Sequence, residues 1–199
     1  GSVARDFAVS DAQIGFVPAM NQVALALGVL LLLPLGDRVD NRQLVTACLA
    51  AQVLSLVIMA MTQNFAIFVA ASTVLGFFTV TPYLLPAYAS RRVPPGQLGH
   101  ATALLTTGVI AGVQISRLAA GVIGEYTDWR WIYWLAALLM GAATCSVPRI
   151  MAAEELPPGG QPYGRLIGSL FALGRKHPRL MVSGLIQGLN FAMFISVWL

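Results

Sequence analysis

Four polar side chains stand inside apolar runs and could bind a solute: Gln114 and Arg117, three residues apart, and Gln187 and Asn190, also three apart. In a helix that spacing puts both members of a pair on one face. Their chemistry is recognition, not bond-making. Amides both donate and accept hydrogen bonds, and the Arg117 guanidinium offers a fixed positive charge to an anionic or polar group. A second constellation, Gly36-Asp37-Arg38-Val39-Asp40-Asn41-Arg42, packs both charge signs into a tight turn. Asp37 is suited to hold a basic residue from another loop, such as Arg91 or Arg92, as a latch. Arg38 near one helix C-terminus and Asp40 near the next N-terminus both suit the helix dipole. Nothing points to an enzyme. An intramembrane protease would need a Ser and a His meeting inside the membrane. His100 and His177 lie in loops, and no Gly-x-Ser-Gly is present. Cys48 and Cys145 sit in apolar runs away from any Cys/His cluster, so no disulfide framework, metal site or cofactor is expected.

The elements that must position these residues follow from composition. The 199 residues are 57% hydrophobic and 10% charged, with a mean hydropathy of +0.75. A soluble domain carries about 25% charged residues, so the solvent of this chain is lipid. That excludes a soluble domain, a disordered tail and a nucleic-acid binder. A bilayer core takes about 20 apolar residues per helix. Six stretches qualify, at 12–35, 44–62, 65–88, 101–124, 129–147 and 180–199. An all-helical bundle satisfies their backbone groups without water. Ser10 and Gln13 form a capping-box pattern before the first, and the third carries Pro82 and Pro86, which should kink or end it. Asp128 or Thr127 can cap the fifth.

Because spans alternate in direction, the loops sort onto two sides. Arg38, Arg42, Arg91, Arg92, Arg149, Arg165, Arg175, Lys176 and Arg179 share one side; only Arg5 and Arg130 lie on the other. The basic side is cytoplasmic by the positive-inside rule. A multi-pass protein of a bacterial inner membrane is expected, its segment 1–11 outside. Residues 148–179 then form a cytoplasmic linker. It opens with Glu154-Glu155 and Pro157-Pro158-Gly159-Gly160, a flexible composition, and continues as an amphipathic stretch from Tyr163 to Lys176 suited to the membrane surface.

Polar residues in a span face a cavity or another helix. They fall in the first span (Asn21, Gln22), the third (Thr79, Thr81), the fourth (Gln114, Arg117) and the sixth (Gln187, Asn190), which read as lining; the second and fifth read as lipid-facing. Arg117 is the sharpest of these. It lies roughly 10 Å inside its span at 1.5 Å per residue, and burying it costs about 2.5–3.5 kcal/mol. It either meets a substrate group in a water-filled cavity or snorkels as a structural residue. On the same helix Gly108, Gly112, Ser116, Ala120 and Gly124 recur every four residues, a small-residue stripe that calls for a closely packed partner helix.

The turn with Asp37, Arg38 and Arg42 resembles the signature between the second and third helices of the major facilitator superfamily, Gly-x-x-x-Asp-Arg-x-Gly-Arg-Arg. Here Leu33 replaces the first Gly, and Asp40-Asn41 stand for Gly-Arg. Gly108-x-x-x-Gly112 is similar to the start of the antiporter signature Gly-x-x-x-Gly-Pro-x-x-Gly-Gly, with Val113 for Pro and Ser116-Arg117 for the Gly pair. Gly121 and Trp129-Arg130 resemble export-type members. The resemblance implies an all-α membrane fold, about six helices corresponding to helices two to seven of a twelve-helix transporter. Residues 12–147 would belong to the N-terminal bundle, and 180–199 would be the first helix of the C-terminal one. It implies about half of a secondary transporter of a drug, sugar or metabolite, working by alternating access, with a proton as coupling ion. By the same resemblance Asp37, Arg38 and Arg42 form a cytoplasmic gate and Gln114, Arg117, Gln187 and Asn190 line the cavity. A membrane assembly module without transport is the competing reading.

Overall fold

The computed structural model describes residues 2–153, 163–176 and 178–198. The linker residues Glu154-Glu155 and Pro157-Pro158-Gly159-Gly160 lie outside them, as does His177. The described residues are helical throughout their regular structure: α1 (Ser2–Asp6), α2 (Asp11–Leu35), α3 (Asn41–Met61), α4 (Phe65–Phe78), α5 (Thr81–Arg92), a 3-10 turn (Pro95–Gln97), α6 (Leu98–Tyr126), α7 (Arg130–Ile150), α8 (Tyr163–Lys176) and α9 (Pro178–Trp198). They fall into two units, Gly1–Pro157 with α1 to α7 and Pro158–Leu199 with α8 and α9. Among the described residues five helical stretches are long and apolar enough to cross a membrane: Ala12–Leu35, Asn41–Met61, Phe65–Arg92, Leu98–Gly124 and Arg130–Ile150. The sixth apolar stretch of the sequence forms α9.

The caps are those the sequence calls for. The Gln13 amide N–H donates to Ser10 Oγ at 3.4 Å, and the Ser10 N–H donates to Gln13 Oε1 at 2.9 Å. This reciprocal box satisfies two of the helix's orphan donors. Asp40 Oδ1 accepts from the Arg42 N–H at 3.0 Å to start α3, and Asp128 Oδ1 accepts from the Arg130 N–H at 2.8 Å to start α7.

Two glycines set how closely α2 and α4 cross. A Cβ on Gly28 would stand 2.0 Å from the Phe77 carbonyl oxygen, and one on Gly76 would stand 2.3 Å from the Asn21 carbonyl oxygen. Main chain meets main chain there, which only glycine permits. One turn before Gly76 on α4, the Asn21 amide donates to the Ser72 carbonyl at 2.8 Å. In this chain Asn21 therefore joins two helices.

The span over Phe65–Arg92 breaks at Thr79 and Val80, just before Pro82. Proline at 82 has no N–H for the carbonyl four residues earlier, that of Phe78. Gln52 supplies the missing donor: its Nε2 reaches the Phe78 oxygen at 2.9 Å from α3. Pro86, by contrast, lies inside α5 without ending it. Gln52 is 3% exposed and Ser55 2%, and α3 is the most enclosed of the five spans. One face of it is packed against its neighbours, while Leu54, Ile58 and Met61 on the other face stay exposed, an apolar stripe suited to lipid. Gln52 is buried because it ties α3 to the end of α4, whereas Ser55 bonds its own helix at the Ala51 carbonyl, 2.9 Å away. Replacing Gln52 with Leu is expected to lower stability by ~2 kcal/mol, the cost of a buried carbonyl left without a donor. Denaturant unfolding in detergent, followed by circular dichroism, measures it.

Two cores result. Leu44, Val45, Cys48, Leu49, Val80, Leu84 and Met151 fill the end nearest the α2–α3 turn. Val17, Met59, Phe68, Ala71 and Trp129 fill the opposite end of α2.

Candidate functional site

At the end of α2, the Asp37 carboxylate pairs with the Arg91 guanidinium from the last turn of α5. This is one of the two partners the charge pattern proposed for it. The pair is partly exposed, 42% for Arg91 and 56% for Asp37, so it adds little to stability as a surface bridge. Asn41 fixes the turn beneath it, donating from Nδ2 to the Gly36 carbonyl at 3.0 Å from a site only 3% exposed. Arg38 is exposed and Arg42 half-buried on the same turn. Arg92 turns to the end of α7 instead, donating to the Ala153 carbonyl at 3.1 Å and lying 5.0 Å from the Tyr88 ring centre. Thus α5 contributes two adjacent arginines, one to the α2–α3 turn and one to the chain leaving α7.

The opposite end of α2 carries a cluster that sequence reasoning missed. Arg130 Nη1 donates to Asp6 Oδ2 at 2.6 Å, and Trp129 Nε1 donates to the same oxygen at 3.0 Å. Arg130 also donates to the Thr62 carbonyl at 3.3 Å and lies 4.4 Å from the Trp129 ring centre. One guanidinium thereby joins α1, the α3–α4 loop and α7. Phe7 follows Asp6 into an aromatic group, with ring centres 5.3 Å from Phe68 and 5.8 Å from both Phe65 and Trp129. The only sequence signal was an acid in a short polar segment and an arginine between tryptophans, separated by over a hundred residues.

The Arg130 and Trp129 donors hold the Asp6 carboxyl below its usual pKa of 3.8. A carboxyl so lowered contributes stability above its unfolded value, and that contribution is lost as pH falls through the folded value. The expected result is that wild type loses thermal stability relative to Asp6→Asn only below about pH 4, where the ordinary carboxyl titrates. Above it the difference is constant. Tryptophan fluorescence melts at stepped pH check this.

The remaining candidates lie on two helices. Gln114 and Arg117 are exposed on one face of α6. Nothing among the described residues packs closely on the small-residue stripe there: a Cβ on Gly108 or Gly112 meets no atom within 4 Å, and one on Gly124 meets only Ile132 Cδ1 at 3.9 Å. Ser116 Oγ bonds its own helix at the Val113 carbonyl, 2.9 Å away. Gln187 and Asn190 are exposed on α9 in the second unit, Asn190 donating to the Ile186 carbonyl at 3.1 Å. Each pair is brought together on its own helix.

Comparison with known proteins gives the context of these features. The family model of the Major Facilitator Superfamily matches residues 2–199. The chain is 26% identical over 99% of its length to the uncharacterized transporter YgaY of Escherichia coli O157:H7, and covers 50% of that protein. It is 24% identical to the probable transporter SCO4007 of Streptomyces coelicolor, over 98% of this chain and 45% of the relative. It is 26% identical to multidrug resistance protein D of Escherichia coli K12, over 84% and 42%. The chain thus spans about half the length of the curated relatives it matches. With its spanning helices and its match from end to end, this multi-pass membrane chain belongs to the Major Facilitator Superfamily.

Proposed function

We propose that this chain serves a secondary active transporter of a small molecule, working by alternating access in a bacterial inner membrane and exporting a drug or metabolite. The family match over residues 2–199 carries the reading; the similarity to multidrug resistance protein D supports export. In this reading Gln114 and Arg117 face the substrate path from α6, and Gln187 and Asn190 face it from α9. The positive charge of Arg117 favours substrates with an anionic or polar group. Asp37, Arg38 and Arg42 form a cytoplasmic gate, in which Asp37 grips Arg91 in one state and releases it in the other. A proton is the coupling ion, and the protein does no bond-making chemistry.

The test is flux in everted membrane vesicles carrying the natural gene product, with an efflux dye as probe and an imposed proton gradient. Gradient-dependent dye movement is expected, reduced about 10-fold by Arg117→Ala, the scale of one lost charged contact, and less by Arg117→Lys. Correctly inserted protein that moves no solute in either direction overturns transport. Flux that ignores the gradient overturns proton coupling.

A further inference from the structure

The helix α8 has two chemically different faces. Its apolar positions 163, 166, 167, 170 and 171 fall on one arc at 3.6 residues per turn, whereas 165, 169, 175 and 176 fall on the other. Side-chain exposure follows that division where it is described: Leu166 and Ile167 are half-buried, and Arg165, Ser169, Arg175 and Lys176 are exposed. The charge on this segment is of one sign. From Tyr163 to Leu199 the sequence has no Asp or Glu, while Arg165, Arg175, Lys176 and Arg179 bring four positive charges. Three of those four crowd the junction where α8 ends at Lys176 and the apolar α9 begins at Pro178.

We propose that α8 is an interfacial helix that binds anionic phospholipid headgroups, its apolar arc seated in the bilayer surface and Arg165, Arg175 and Lys176 contacting lipid phosphates. The charge complementarity selects this occupant: an all-cationic face is repelled by a basic cytoplasmic surface and drawn to an anionic leaflet, at about a 5-fold gain in surface occupancy per cation. The inference goes beyond transport, because it holds whichever solute moves.

The test uses the full chain with Cys48 and Cys145 replaced by Ala, reconstituted in phosphatidylcholine vesicles with or without about one-quarter phosphatidylglycerol, the proportion serving to set leaflet charge. A nitroxide is placed at Ile167→Cys or at Ser169→Cys, and its collisions with oxygen and with a water-soluble nickel chelate are measured. In phosphatidylglycerol vesicles the label at 167 is expected to meet oxygen and avoid nickel, and the label at 169 to do the reverse. Changing Arg165, Arg175 and Lys176 together to Gln, or raising salt until the Debye length is about 3 Å, is expected to lower the seated fraction about 5-fold per cation lost. Equal nickel access at 167 and 169 would place the helix in water and overturn the proposal. Shielding of 167 from both reagents would mean that protein covers the arc, and also overturns it. Seating that is equal in both vesicles and indifferent to the triple variant would remove the anionic headgroup. Dye flux in the same vesicles is read separately, so a failure of transport leaves this result interpretable.

Discussion

Gly28→Val is expected to destabilise the helical unit by roughly 3 kcal/mol or more, at the upper end of what overpacking does to a packed core. The reason is what the new side chain meets. A Cβ at 28 lies 2.0 Å from the Phe77 carbonyl oxygen, with the Phe77 carbonyl carbon at 2.9 Å. No rotamer change relieves a clash with main chain; α2 and α4 must separate. Separation would also stretch the Asn21 bond to Ser72, now 2.8 Å. Gly76→Val should behave alike, since its Cβ meets the Asn21 carbonyl oxygen at 2.3 Å. The control is Gly108→Val on α6, where no atom stands within 4 Å. In this chain its effect is expected within about 0.5 kcal/mol, as at an unencumbered surface. Denaturant unfolding in one detergent compares the three. Equal losses at 28 and 108 would mean that α2 and α4 do not cross where described.

The second large effect concerns transport. Asp37→Arg is expected to reduce flux about 10-fold or more, within the range of a few kcal/mol of coupling between states, while leaving the unfolding midpoint nearly unchanged. The two parts belong together. A partly exposed ion pair is worth about 0–1 kcal/mol to folding, so its loss does not unfold the chain. If the pair forms in one transport state only, that same energy biases the balance of states. Reversal adds repulsion between two guanidiniums and shifts the balance further. The double variant Asp37→Arg with Arg91→Asp restores the attraction and should recover most of the flux. A double variant no better than either single one would show that position, not charge pairing, matters at this turn.

Much of the fold could be read from local chemistry. The capping box at Ser10 and Gln13 needs only three residues of spacing, and the Asp37 latch needed only opposite charges at loops on one side. What escaped depends on contacts distant in sequence. Asn21 looks like a lining residue, and Gln52 gives no sign of its role, because a polar side chain in an apolar run carries no mark of whether its partner is a solute or a carbonyl. Gly28 and Gly76 look like any glycine in a membrane helix until the crossing is known. The α2–α4 crossing, moreover, uses two glycines with no regular spacing of the kind that marks the stripe from Gly108 to Gly124. Asp6 and Arg130 could not be paired by pattern, since one sits in a helix of five residues with no periodicity to show which face it presents.

The Gln52 contact to the Phe78 carbonyl has a consequence for how this sequence can drift. Pro82 stands in the first turn of α5, where proline costs no intrahelical bond, but with proline there the Phe78 carbonyl draws its donor from Gln52. An ordinary residue at 82 would offer that carbonyl a backbone N–H, and position 52 would then be freer to become apolar. The reverse order is costly, since losing Gln52 first strands the oxygen. Exchange at these two positions should therefore be epistatic and directional, with 82 changing before 52 along a viable path.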